Sequence, residues 1–136
     1  MTTIKNHDVQ SVNIKATTDK VFDYIANPTN LPKWTRAFKN ADENSAQLVT
    51  PMGELKIGLK TKANKELGTI DWHMTMPDGS VGNAYSRVVE NADGNAIYSF
   101  ILLAPPAPIE EVEGALLQQM EILKKELQNL QTILGK

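Results

Sequence analysis

From Ile109 to Leu134 the apolar residues Ile109, Val112, Leu116, Met120, Leu123, Leu127, Leu130 and Leu134 recur at spacings of three and four. That is one face of an α-helix held for about seven turns. A lone apolar stripe of this length must be covered. Glu110, Glu111 and Glu113 stand at its start, where the helix dipole favours anions, and Lys124 and Lys125 lie nearer its end. The dipole accounts for the three glutamates more cheaply than paired-carboxylate catalysis does. Pro105, Pro106 and Pro108 keep the preceding segment extended. A dimer element would cover such a stripe, but a single stripe following a run of strands is expected to lie on the sheet.

Those strands are legible upstream. Between Asp8 and Ala16, Val12 and Ile14 alternate with Ser11, Asn13 and Lys15, the period of a half-buried strand. Thr17, Thr18 and Asp19 offer N-caps to a short helix carrying Val21, Phe22 and Ile25, which Asn27-Pro28 must end. A second helical turn is expected from Leu31 to Phe38, with Trp34 and Phe38 on one face. From Gln47 to Phe100 five strands follow, including one on which Leu55, Ile57 and Leu59 alternate with Lys56, Gly58 and Lys60. They are separated at Pro51-Met52-Gly53, Asn64 to Gly68, Pro77-Asp78-Gly79 and Ala92-Asp93-Gly94. With 136 residues, the chain suits a single domain spanning residues 1–136.

Composition excludes several functions. The formal charge is −2 with scattered Lys and Arg, so no basic stripe for nucleic acid exists. Cysteine is absent, and His7 and His73 match no metal-ligand spacing, so neither metal nor cofactor is expected. No serine sits in a nucleophile motif, and Gly53, Gly58 and Gly68 form no phosphate loop. Met1 to His7 lacks the apolar core of a signal peptide, and no window resembles a membrane span. A soluble, cytoplasmic monomer or weak homodimer is the expectation.

The segment from Ile14 to Pro28, IKATTDKVFDYIANP, followed by Asn30-Leu31-Pro32-Lys33-Trp34, resembles the opening of the SRPBCC or START-like superfamily. This group contains polyketide cyclase/dehydrase and lipid-transport proteins and the birch-pollen-allergen fold. Thr50 to Gly53, Gly68 to Asp71, Ser86-Arg87-Val88 and Asp93-Gly94 resemble a small bacterial branch of it. The resemblance covers the element order of the whole chain. It implies an α+β helix-grip fold, in which a curved antiparallel sheet of about six strands, two short helices and a long C-terminal helix enclose a cavity. It does not imply a reaction, because members include carriers, receptors, cyclases and co-chaperones.

Candidate site residues follow from one turn. Pro77-Asp78-Gly79 suggests a three-residue loop pairing Met76 with Ser80. Asp71 then opposes Tyr85, His73 opposes Asn83 and Arg87 opposes Thr69. One face carries Asp71, His73, Asn83, Tyr85 and Arg87, and the other Trp72, Met74, Ala84, Ser86 and Val88. Turned inward, the polar face would offer an Asp71–Arg87 pair and His73 as acid or base for a cyclase or dehydratase. Turned outward, it is a solvated face over an ordinary core. One residue of slip swaps the two, so the sequence leaves the choice open.

Trp34, Phe38 and Leu59, with Leu116, Met120 and Leu123 on the last helix, complete the candidate ligand contacts, although core packing explains them equally well. The leading expectation is a binding or carrier protein for a small hydrophobic molecule, lipid, acyl or aromatic, rather than an enzyme. A cyclase/dehydrase using Asp71, His73, Arg87 and Tyr85, and a co-chaperone-like module, are the alternatives.

Overall fold

The alternation around Val12 and Ile14 forms strand β1, His7–Ile14. Helix α1, Thr18–Ala26, begins where the Thr17 hydroxyl accepts the Lys20 amide at 3.2 Å. A 3-10 turn at Pro28–Asn30 leads into the four-residue α2, Leu31–Trp34. The helical turn expected to reach Phe38 stops at Trp34. There the Thr35 amide and hydroxyl both bond the Leu31 carbonyl, and Thr35 itself is extended. Phe38 instead opens strand β2, Phe38–Ala41, whose pairing with β3, Ser45–Thr50, decides its conformation.

Strands β4 (Gly53–Asn64), β5 (Thr69–Thr75), β6 (Val81–Glu90) and β7 (Ala96–Leu103) complete the meander, and α3 spans Ile109–Leu134. In this computed structural model residues 6–50, 53–103 and 109–135 are described, apart from the side chains of residues 50 and 109–115. The expectations at Met1 to Lys5, Pro51-Met52 and the three prolines before α3 lie outside the described residues. So do those resting on the side chains of Ile109, Glu110, Glu111, Val112 and Glu113.

Among the described residues seven strands, rather than about six, form one curled sheet in the order β1-β7-β6-β5-β4-β3-β2, every neighbour antiparallel. Consecutive hairpins explain this order except for β1, which closes against β7. The β5–β6 loop is as expected from Pro77-Asp78-Gly79: the Met76 amide bonds the Ser80 carbonyl at 2.9 Å and Gly79 takes φ +88°. Asp71 therefore opposes Tyr85, His73 opposes Asn83 and Thr69 opposes Arg87.

Helix α3 lies on the concave face and buries Leu116, Leu123, Leu127, Leu130 and Leu134. Each buried leucine contributes about 1.5–3 kcal/mol of transfer free energy. Gln10 Nε2 donates to the Met120 carbonyl at 3.0 Å and Gln131 Nε2 to the Asn13 carbonyl at 2.7 Å, tying α3 along β1. Lys20 Nζ reaches the Leu134 carbonyl at 3.3 Å, a cation at the negative end of the helix. The chain has the α+β helix-grip architecture.

Candidate functional site

The concave face carries Leu55, Ile57, Leu59 and Thr61 from β4, Ile70, Trp72 and Met74 from β5, Ala84, Ser86 and Val88 from β6, and Ala96, Tyr98, Phe100 and Leu102 from β7. Its two ends differ. Where β1 runs into α1, the residues Val21, Phe22 and Ile25 and the last turns of α3 seal Ile14, Ile70, Val88 and Ala96 from solvent. Toward the opposite end Phe38, Leu48, Leu55, Met74, Ala84, Phe100 and Leu102 remain half-buried. This open end lies on the side of the N-terminal half of α3, because Met120 is tied to Gln10 and the helix then runs toward Asn13.

An aromatic ladder crosses the interior. Trp34 meets Tyr98 edge-on at 6.3 Å, Tyr98 meets Phe100 at 6.5 Å, and Phe100 stacks on Trp72 at 6.1 Å. Trp34, Trp72 and Tyr98 are 2%, 4% and 0% exposed. Among the described residues the Trp34 and Trp72 indole N–H groups, the Tyr98 hydroxyl and the Thr61 hydroxyl have no hydrogen-bond partner. Burial pushes the pKa of Tyr98 well up; the neighbouring Ser86 hydroxyl opposes the shift and the charge of Glu126 adds to it. Ser86 itself donates to the Ile70 carbonyl at 2.6 Å, and the Tyr98 hydroxyl makes no bond of good geometry to it.

Among the described residues Glu126 is the charged exception in this interior. It sits within the leucine stripe of α3, 8% exposed, and its Oε2 accepts the Arg36 amide at 2.7 Å. This bond fastens the connection between α2 and β2 to α3. Burial raises its pKa, with the Arg36 amide and the Arg36 charge pulling the other way. A carboxyl whose folded pKa is raised contributes stability that is fully present below the unfolded pKa and is lost as pH rises through the folded one. Native stability should therefore fall with rising pH just above the ordinary glutamate pKa. Asp42 and Asp78, whose pKa values are lowered by hydrogen bonds from neighbouring serine and backbone groups, act in the opposite sense on the acid side.

Glu126→Gln keeps an acceptor for Arg36 and removes the charge, so the difference between wild type and variant isolates the effect. Thermal denaturation across pH should give a wild-type slope that the variant lacks, and parallel profiles would rule Glu126 out as its source. Glu126→Ala, which leaves the Arg36 amide unpaired, should cost about 1–3 kcal/mol.

The candidates read from the sequence divide between the two faces. Trp34, Leu59, Leu116 and Leu123 are buried, while Phe38 and Met120 are half-buried. Asp71, His73, Tyr85 and Arg87 lie on the convex face, since the register puts Ile70, Trp72, Ser86 and Val88 in the core. The reading in which these four line the interior is corrected on physical grounds: burying Trp72 and Ile70 removes apolar area from water, whereas burying Asp71 and Arg87 would strand charges. His73 Nδ1 pairs with Asn83 Oδ1 at 2.9 Å, and Arg87 Nε donates to the Leu67 carbonyl at 3.3 Å rather than to Asp71.

Tyr98, Phe100 and Glu126 were not among the sequence candidates. The alternation Ala96, Tyr98, Phe100, Leu102 and a glutamate inside a leucine stripe were the available signals. A groove of about 330 Å³ follows the seam between β1 and α3, lined by Gln10, Val12, Asn13, Lys124, Leu127 and Gln131 among others. Among the described residues no cluster of three or more His, Asp or Glu side chains would hold a metal ion, and no helix is long and apolar enough to cross a membrane.

No protein-family model matches the sequence, and no curated protein does. Solved structures do match. The protein XoxI from Bacillus cereus superposes with TM-score 0.69 at 16% identity, covering 96% of each chain. A START superfamily protein from Mycobacterium smegmatis gives 0.63 at 11%, over 96% of this chain and 97% of that one. The Zhui aromatase/cyclase from Streptomyces sp. R1128 gives 0.63 at 11%, over 93% and 92%. At such identities the likeness is one of fold. Its near-complete coverage of both chains agrees with the strand order and the gripping helix, and the chain has the SRPBCC/START-like fold.

Proposed function

We propose that the chain binds and carries a small hydrophobic molecule, acyl or aromatic, at the open end of the concave face beneath the N-terminal half of α3. The observation that carries this reading is the contrast between the two ends of one apolar surface. The end at α1 is sealed, whereas Met74, Ala84, Phe100 and Leu102 stay half-buried around the Trp72–Phe100 stack. Adjoining half-buried apolar residues at the mouth of a concave site are what a hydrophobic ligand covers. Met74, Met76 and Met120 supply adaptable thioether walls. The START and aromatase/cyclase neighbours support a ligand-holding use of the same fold.

The cyclase/dehydrase alternative loses its sequence support with the outward placement of Asp71, His73 and Arg87. NMR titration with fatty acids, flavonoids and polycyclic aromatics tests the proposal. Saturable shifts of the Met74, Met76 and Met120 methyl signals are expected for at least one ligand class. The absence of saturable shifts across the whole panel would rule the binding reading out.

A further inference from the structure

The polar atoms inside the grip are unusual in kind. An indole N–H donates and cannot accept, and Trp34 and Trp72 bury two such groups with no partner among the described residues. Between them on the aromatic ladder stands the equally unpartnered Tyr98 hydroxyl. Buried donors are normally satisfied, so three together call for an explanation. Trp72 is the outermost of them: it stacks on half-buried Phe100 and opposes half-buried Ala84, both at the open end.

The surrounding charge narrows what would satisfy these donors. Among the described residues the buried polar or charged side chains are Ser86, already donating to Ile70, and Glu126, a carboxyl. No buried cation is present among them to neutralise an anion, and Glu126 would repel one. Resting on the binding reading above, we propose that the deep end of the site recognises the oxygen of an uncharged acceptor on a hydrophobic skeleton, such as a ketone, quinone or ester carbonyl. The donor is the indole N–H of Trp72, the outermost of the three, and the site discriminates against the matching carboxylate.

Three probes with one skeleton separate the contributions: 2-acetylnaphthalene, 2-ethylnaphthalene and 2-naphthoate, titrated into the full chain carrying ¹⁵N-labelled tryptophan. The ketone should saturate, move an indole N–H signal downfield, and bind about tenfold more tightly than either of the others, the size of one good hydrogen bond. Trp72→Phe should reduce ketone affinity by about the same factor more than it reduces 2-ethylnaphthalene affinity, since both probes lose the same ring contact and only the ketone loses the N–H. If that variant fails to fold, the Trp72 indole shift in the wild type, present with the ketone and absent with 2-ethylnaphthalene, carries the same comparison.

Equal affinity for all three with the indole signals unmoved would overturn the inference while leaving a purely apolar binding site intact. Tighter binding of 2-naphthoate would overturn it as well. If none of the three binds, the inference falls, and the methyl-signal panel decides separately whether the binding reading falls with it.

Discussion

Trp34→Ala is expected to lower the free energy of unfolding by about 3–5 kcal/mol in a denaturant titration, the range for deleting a large buried aromatic. Trp34 is 2% exposed and forms the end of a helix of four residues, too short to hold its place by its own hydrogen bonds. Its ring packs edge-on against Tyr98, so the indole anchors α2 to the interior. Two residues later the Arg36 amide meets Glu126, and this bond would be the next to loosen. Trp34→Phe keeps most of the ring and removes an unpartnered donor, so its cost should be clearly smaller. A loss below about 1 kcal/mol for Trp34→Ala would mean that the ladder does not hold α2.

How far the sequence went can be judged element by element. Helix α3 was legible to its bounds because its apolar stripe repeats over many turns, and no strand pattern competes with that period. The β5–β6 register was legible because Pro77-Asp78-Gly79 fixes the loop length, and register then follows by counting. Strand β2 was missed: four residues at a sheet edge carry too short a pattern, and Phe38 falls at helical spacing from Trp34. The facing of Asp71 and His73 could not be decided locally. Both phases of β5 offer a plausible inner set, and only the cover supplied by α1 and α3 selects the apolar one. Glu126 was missed for the opposite reason, since a glutamate on a helix is ordinarily solvated and its partner lies 90 residues away.

Gly68→Ala should be as damaging as Trp34→Ala, through the backbone rather than through packing. Gly68 ends the turn between β4 and β5 at φ +76°, a region that side chains rarely occupy. Its amide bonds the Asn64 carbonyl at 2.8 Å and its own carbonyl accepts the Val88 amide at 2.8 Å, so it is held from both sides. A Cβ added there would fall far inside van der Waals contact distance of the Val88 carbonyl oxygen, and backbone cannot swing aside as a side chain would. Left-handed strain and overpacking together cost about 2–5 kcal/mol. The position also protects the site, because Gly68 leads directly into the strand that turns Ile70 and Trp72 inward and Asp71 outward. Relief of the strain by a shift of β5 against β6 would exchange those faces. The expected readout is a denaturation midpoint lowered in step with the lost stability, with altered indole and Met74 methyl signals at the open end. Wild-type stability together with an unchanged Trp72 signal would mean that the β4–β5 turn accommodates a side chain and does not set the facing of β5.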